Sequence, residues 1–291
     1  MKKSSAVLTI LLGATFMSFN GALIRLLETA NGFQVLFYRS IGLSLFVLLF
    51  ISWKRKISFI KVFDNIDKWD IIVGVCLGFA FSSYVFSIFY TSVASTLFIL
   101  STTPIIAAFL SWLALSERPS LVVGVAMLLS LAGVLIMVKE GLSVGRSWGN
   151  GLALISAVSF AAMLVVTRRS YKTDILTGTL LGGFFSGIFG LFASIFISQT
   201  MSVSTFDLSV MLIMGAFAIG LGISLVTLAA PFVPSAEVSI LVLLESVLGP
   251  LWVWAFLNET MTGSELAGGL IILLSVCMLS YPTGWLQKNF E

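Results

Sequence analysis

Three ionisable side chains fall well inside apolar stretches of this chain: Arg39, Glu237 and Glu245. A charge at bilayer depth costs roughly 3 kcal/mol even on insertion scales, so each needs an opposite charge, hydrogen-bonding neighbours or a wet cavity. Arg39 falls about two turns and Glu245 about three turns below the same membrane surface at the helical rise, so their depths can meet. Two chemistries follow. One is a structural ion pair between Arg39 and Glu245. The other presents the two charges to opposite ends of a zwitterionic solute, with Glu245 as the candidate for taking up a proton in the cycle. Glu237 lies eight residues before Glu245, within about 80° on one helical face. Leu241, Gly249 and Trp252 continue that face, and Glu237 itself is expected to reach the inner interface.

Polar groups gather in the same apolar stretches: Ser18 and Asn20, then Ser82, Ser83, Tyr84 and Ser87, then Ser101, Thr102 and Thr103 just before Pro104. Serine and threonine usually bond back to their own helix. Asn20 says more, because its amide has four hydrogen-bonding sites and cannot satisfy them alone. Trp252 shares a face with Glu245 and could stack on a flat or cationic solute. The candidate substrate-binding set is therefore Asn20, Arg39, Tyr84, Ser101, Thr103, Glu245 and Trp252. There is no histidine, and Cys76 and Cys277 both lie in apolar runs without paired spacing. No metal site, cofactor or disulfide framework is expected, and without HExxH or GxSxG no enzyme.

The elements that must hold these residues are membrane helices. With 58% hydrophobic and 10% charged residues and a mean hydropathy of +1.10, the chain lies far from soluble composition. Windows of about 20 apolar residues predict ten spans, near 5–27, 33–52, 70–90, 93–115, 119–138, 147–167, 175–197, 207–228, 235–257 and 263–282. The connection from Trp53 to Trp69 is the longest, read as an exposed segment or surface helix. With the N-terminus inside, one face collects Lys2, Lys3, Lys54, Arg55, Lys56, Lys61, Lys68, Arg118, Arg168, Arg169, Lys172 and Lys288. The other has Arg25, Lys139 and Arg146. This asymmetry predicts both termini cytoplasmic in a multi-pass protein of the cell membrane, read as a bacterial inner membrane. The basic residues sit in short loops, so they are no nucleic-acid patch; the expected partners are the lipid bilayer, a small-molecule substrate and possible coupling protons, with the protein a monomer or homodimer.

One plan occurs twice. Ala94 to Ser130 and Ala236 to Ser275 each run from an apolar stretch through a polar turn to a second apolar stretch, with Ser116-Glu117-Arg118 at one turn and Asn258-Glu259-Thr260 at the other. Ala14 to Arg25 and Ala157 to Arg168 form a second pair at nearly the same offset. Half-length similarity predicts a duplicated bundle, 1–144 and 145–291. Five spans per half is odd, so the second copy is expected upside down, with a substrate site near the bilayer midplane where the halves meet. Pro119 is expected to start the fifth span, Pro231 and Pro234 to divide the eighth from the ninth, and Pro282 to close the tenth. Pro104 and Pro250 lie inside spans and are expected to bend them. Gly74 with Gly78, and Gly178, Gly182, Gly183, Gly187 and Gly190, predict close helix packing. Asn258-Glu259-Thr260 fits a glycosylation sequon but is read as a helix-to-helix turn.

These doubled features, with Leu115-Ser116-Glu117 and Leu257-Asn258-Glu259 before helices bearing Gly124 and Gly268, and with Arg39 in the second span, resemble the EamA family of the drug/metabolite transporter superfamily. The resemblance implies ten transmembrane helices as two inverted five-helix repeats around a central cavity, with spans 5 and 10 at the periphery. It implies movement of small metabolites, often amino-acid export. The family often has proline after the glutamate of the ninth span, whereas Ser246 follows Glu245 here and the proline is Pro250, so the bend is expected one turn further along. The expected function is a secondary or facilitative transporter of a small polar or zwitterionic metabolite, an amino acid or derivative, working by alternating access as the repeats rock. The alternatives are a proton-coupled organic-cation transporter and a membrane scaffold subunit.

Overall fold

The computed structural model describes residues 1–64, 66–139, 147–170, 172, 174–196, 200–257 and 262–280, and among these the secondary structure is helical, with no strand. Arg146, the Asn258-Glu259-Thr260 turn, Pro282 and Lys288 lie outside the described residues. Ten apolar helical spans follow in order: α1 (Lys3–Arg25), α2 (Gly32–Arg55), α3 (Lys68–Tyr90), the pair α4 (Val93–Leu100) and α5 (Thr103–Leu115), α6 (Leu121–Val138), α7 (Ser147–Arg169), α8 (Leu176–Phe196), an eighth span of α9 (Thr205–Ile213), a π-helical segment (Met214–Leu221) and α10 (Gly222–Ala229), a ninth of α11 (Ser235–Val242) and α12 (Leu244–Leu257), and α13 (Gly263–Ser280). Their outer faces expose residues such as Leu8, Phe109, Leu128, Phe196 and Leu270. Apolar residues all round a helix need hydrocarbon outside as well as protein inside, and the chain is a polytopic membrane protein.

Local chemistry sets many of the helix ends. Asn31 with Gln34 forms a capping box before α2 and Asp67 with Asp70 one before α3, each satisfying backbone donors that a helix start leaves open. Ser92, Ser120 and Ser204 cap α4, α6 and α9. Pro119 therefore does not begin the fifth span; Ser120 is the cap and the helix starts at Leu121, because a hydroxyl acceptor serves the first amides as proline cannot. The Trp53–Trp69 connection is not a surface helix: between α2, which ends with Lys56 left-handed at φ 53°, and the start of α3 at Lys68, the helical structure among the described residues is the short 3₁₀ turn Ile60–Val62.

Packing between spans has its own symmetry. The third span packs on the sixth and seventh, the second on the seventh and eighth, the first on the eighth and ninth, the fourth on the sixth and ninth, and the fifth on the tenth. Advancing every member by five turns the 3–6, 3–7 and 4–6 pairs into 8–1, 8–2 and 9–1, and leaves 2–7, 4–9 and 5–10 unchanged. The fifth and tenth spans make their main contact with each other. Glycine makes the crossings close. A methyl on Gly74 would stand 2.6 Å from Leu181 Cβ and one on Gly178 2.8 Å from Val73, and Gly13 meets Gly222 O at 2.7 Å in the same sense. This is the tight packing that the glycine pattern predicted.

The fourth and ninth spans, in which Pro104 and Pro250 were expected to make bends, are interrupted. The fourth breaks at Ser101–Thr102, directly ahead of Pro104 in the first turn of α5. Proline has no amide donor and crowds the preceding turn, which accounts for the break. The ninth breaks at Leu243, not at or beyond Pro250, which stays within α12. The interruption therefore comes before Glu245, ahead of the proline at which a bend was expected.

Candidate functional site

The two interruptions lie at equivalent places in the halves and each starts a new half-helix inside the membrane. Thr103 opens α5, and Glu245, 142 positions later, lies in the first turn of α12. The first amides of a helix have no intrahelical acceptor and carry the positive end of its dipole, so a half-helix start at bilayer depth is a place for negative charge. Glu245 occupies it. The break also interrupts the face on which Glu237 and Glu245 were expected to stand in line, and Glu237 belongs elsewhere. Its carboxylate takes Lys3 Nζ at 2.8 and 3.1 Å at the end of the bundle.

Arg39 comes from α2 and is 2% exposed, among the largest side chains so fully enclosed. Its guanidinium carbon stands 5.8 Å from the ring centre of Phe81. Tyr84, one turn along α3 from Phe81, lies within the range of the Glu245 and Arg39 charges and beside Asn20, which gathers side chains of spans 1, 2, 3 and 9 in one region of the bundle. Among the described residues no ion pair joins Arg39 to Glu245; the pairs found are elsewhere. Asn20 is buried and its Oδ1 has no hydrogen-bond partner. A buried amide oxygen without a donor calls for water or a ligand. Glu245, Tyr84 and Trp252 remain half-buried.

Trp252 is already engaged. Its indole stacks on Phe19 with centroids 4.6 Å apart and planes 10° off parallel, and its Nε1–H donates to Ser18 Oγ at 2.7 Å. One ring face is therefore taken by protein. The hydroxyls of Ser101, Thr102 and Thr103 donate to the carbonyls of Phe98, Ile99 and Leu100 at 2.6, 2.6 and 2.5 Å. Phe98 O and Ile99 O also accept from the amides of Ser101 and Thr102, so these hydroxyls bond back to their own span at the interruption.

Two buried carboxylates escaped the sequence reading, Asp70 and Asp207, both fully enclosed. Asp70 pairs with Lys172, and Asp207 accepts from Glu28 N, Thr29 N and Thr29 Oγ1 at 3.0, 3.1 and 2.8 Å. The signal was present as the cap spacings Asp67-to-Asp70 and Ser204-to-Asp207, yet the partners lie far away in the chain. The remaining ion pairs gather at the basic end. Arg168 grips Glu117 at 2.7 and 3.0 Å and reaches Pro231 O at 3.1 Å, while Lys54 and Arg55 hold Asp174 at 2.9 and 3.2 Å. Burial pushes the Asp174 carboxyl up, but the Arg55 and Lys54 hydrogen bonds outweigh it and hold the group below the usual aspartate value. Lys172 runs opposite: burial lowers it, and Asp70 and Asp67 more than restore it, so its ammonium is held above the usual lysine value.

Comparison with known proteins accords with this geometry. A model described as the EamA-like transporter family matches residues 4–139 and again 147–281. The chain is 27% identical over 237 residues to an uncharacterized transporter of Archaeoglobus fulgidus, covering 80% of this chain and 75% of that one. A crystal structure titled only as that of a protein shares the fold with a TM-score of 0.80, at 15% identity over 96% of this chain and 99% of the other. With the family matched twice across nearly its whole length, this chain belongs to the EamA-like transporter family.

Proposed function

We propose that this membrane transporter moves a small polar or zwitterionic metabolite, an amino acid or derivative, through a site formed where residues 1–144 and 145–291 meet. The observation that carries the reading is the enclosed Arg39 guanidinium, held over Phe81 and outside every ion pair found among the described residues, together with the orphaned Asn20 Oδ1; Glu245, from the ninth span, is the unlike charge of the same region. A solute with a carboxylate and an ammonium supplies each charge with its missing opposite. Asn20, Tyr84 and Trp252 orient it, Ser101 and Thr103 line the interruption opposite, and Glu245 carries a proton when the solute is absent. Alternating access is supported by where the bonds between halves lie. Lys3–Glu237, Glu117–Arg168, Asp70–Lys172 and the Asp174 cluster join first half to second at the basic end, proposed as cytoplasmic along with both termini. Gln34 to Thr200 O and Ser202 O, Tyr38 to Met201 O and Thr91 to Asn150 do so at the other. Rocking breaks one set at a time.

A second reading, an organic cation exchanged for protons, is favoured by the Phe81 ring beneath Arg39 and the Phe19–Trp252–Phe256 stack near Glu245. The two separate on Arg39. A thermal-shift screen of purified protein against amino acids, quaternary amines, nucleosides and vitamins identifies the solute class, since a ligand at 100 times its Kd adds about 2.7 kcal/mol. On the first reading Arg39→Gln removes the response to amino acids; a response to quaternary amines that survives or grows in Arg39→Gln replaces it with the second.

A further inference from the structure

At the basic end, away from the Arg39–Glu245 site, a pocket of about 150 Å³ lies between the end of α5, the start of α6 and the start of α11. Ser111 and Ser235 line it, 4% and 1% exposed, and the hydroxyl of each is buried without any hydrogen-bond partner. Two orphaned hydroxyls in one pocket are a larger cost than packing alone accounts for. The start of α11 faces the same space: Pro234 provides no side-chain cap, and the first amide to bond back is that of Val238, to Pro234 O at 3.0 Å. The amides of Ser235, Ala236 and Glu237 thus offer the positive end of the helix to an acceptor. Glu117 and Glu237 also line the pocket, but Arg168 neutralises the first and Lys3 the second. Arg118, a third charged lining residue, is not used by these pairs.

The pocket shares Ala108, Arg118 and Pro119 with a groove of about 400 Å³ that Phe109 and Trp112 complete. Phe109 is 56% and Trp112 49% exposed, on the outward side of α5, where a tryptophan near a span end marks the lipid interface. A polar recess with two unpartnered hydroxyls enclosed in its wall, helix amides and one cation thus adjoins a shallow apolar groove on the outward side of α5. That is the shape of a molecule with a phosphate at one end and an acyl chain at the other.

We propose that this recess binds an anionic glycerophospholipid of the adjoining leaflet, its phosphate held by Arg118, Ser111, Ser235 and the α11 amides and an acyl chain lying along Phe109 and Trp112. Because the recess joins the end of the fourth span to the start of the ninth, a bound lipid braces the basic end of the bundle.

The test follows the thermal midpoint of the detergent-purified full-length protein with three probes: dihexanoyl phosphatidylglycerol, sn-glycerol 3-phosphate and dihexanoylglycerol. Only the first is expected to raise it saturably, and Arg118→Gln is expected to weaken that response about tenfold, the scale of one charge-assisted hydrogen bond. Ser111→Ala is expected to leave the lipid-free midpoint unchanged or higher, since it removes an unpaired buried hydroxyl, while also weakening the lipid response; this variant serves if Arg118→Gln does not fold. An equal response to glycerol phosphate makes the recess a soluble-anion site and overturns the proposal. So does an equal response to dihexanoylglycerol, or a phosphatidylglycerol response indifferent to both substitutions. None of these outcomes depends on transport, so they leave the Arg39–Glu245 reading where its own assay puts it.

Discussion

Glu245 stands half-buried at the start of a half-helix, near no cation within ion-pair distance among the described residues. A carboxylate so placed can exchange a proton or a ligand without breaking a structural pair. Glu245→Gln keeps the shape and removes the charge. In proteoliposomes we expect it to remove the pH dependence of uptake and to weaken solute binding, and an unchanged rate with unchanged pH dependence would reject the coupling role. Trp252 acts by packing and by one hydrogen bond. Trp252→Phe retains the Phe19 stack and loses the bond to Ser18, so about 1 kcal/mol of stability is expected to go, against roughly 3–5 kcal/mol for Trp252→Ala, both read from thermal or denaturant unfolding in detergent.

At the scale of the element, the site depends on how closely α2 approaches the eighth span. A methyl on Gly42 would overlap the carbonyl of Leu212, and one on Gly215 the carbonyl of Arg39 itself. Gly215 lies in the π-helical segment Met214–Leu221, so the backbone carrying Arg39 rests against a locally widened turn; such turns often occur at functional sites. Gly42→Ala or Gly215→Ala is expected to cost roughly 1–3 kcal/mol as overpacking and to weaken solute binding by moving Arg39. Gly21→Ala and Gly124→Ala meet nothing within 4 Å and are expected to be neutral or slightly stabilising. A thermal-shift comparison of the four separates a packing requirement from a general dislike of alanine.

For the whole molecule, the basic end is a belt of ion pairs between the halves, and its pH response follows from Asp174. Its carboxyl is held below the ordinary aspartate value of 3.8, so the folded state binds that proton less readily than the unfolded chain. The stabilisation is complete above the ordinary value and is lost as pH falls through the lowered one. Wild type is therefore expected to lose thermal stability on acidification below about pH 4 more steeply than Asp174→Asn, whose curve lacks this contribution. The inverted arrangement has a direct test in a background without Cys76 and Cys277. Cysteines at Ser116 and Gly263 are expected to react with impermeant reagents from opposite sides of the membrane, and labelling from one side only would end the inverted-repeat reading.

Hydropathy is a sum over neighbours along the chain, so the ten spans, the half-length repeat and the placing of Arg39 and Glu245 inside spans were legible in the residues alone. The same local arithmetic made Glu237 an interfacial group and the glycine series a packing face. What it could not contain was partnership between distant segments: that Asp70 meets Lys172, that Asp207 caps the turn after α1, that Trp252 spends one face on Phe19. Nor did it place the ninth-span break, since Pro250 was the visible marker while the chain turns at Leu243 with no proline there. Segment order and depth are one-dimensional properties set by the cost of dehydrating each residue in turn. Which charge finds a partner, and which is left without one, depends on helices separated by more than a hundred residues coming within hydrogen-bond reach, and only the tertiary structure decides that.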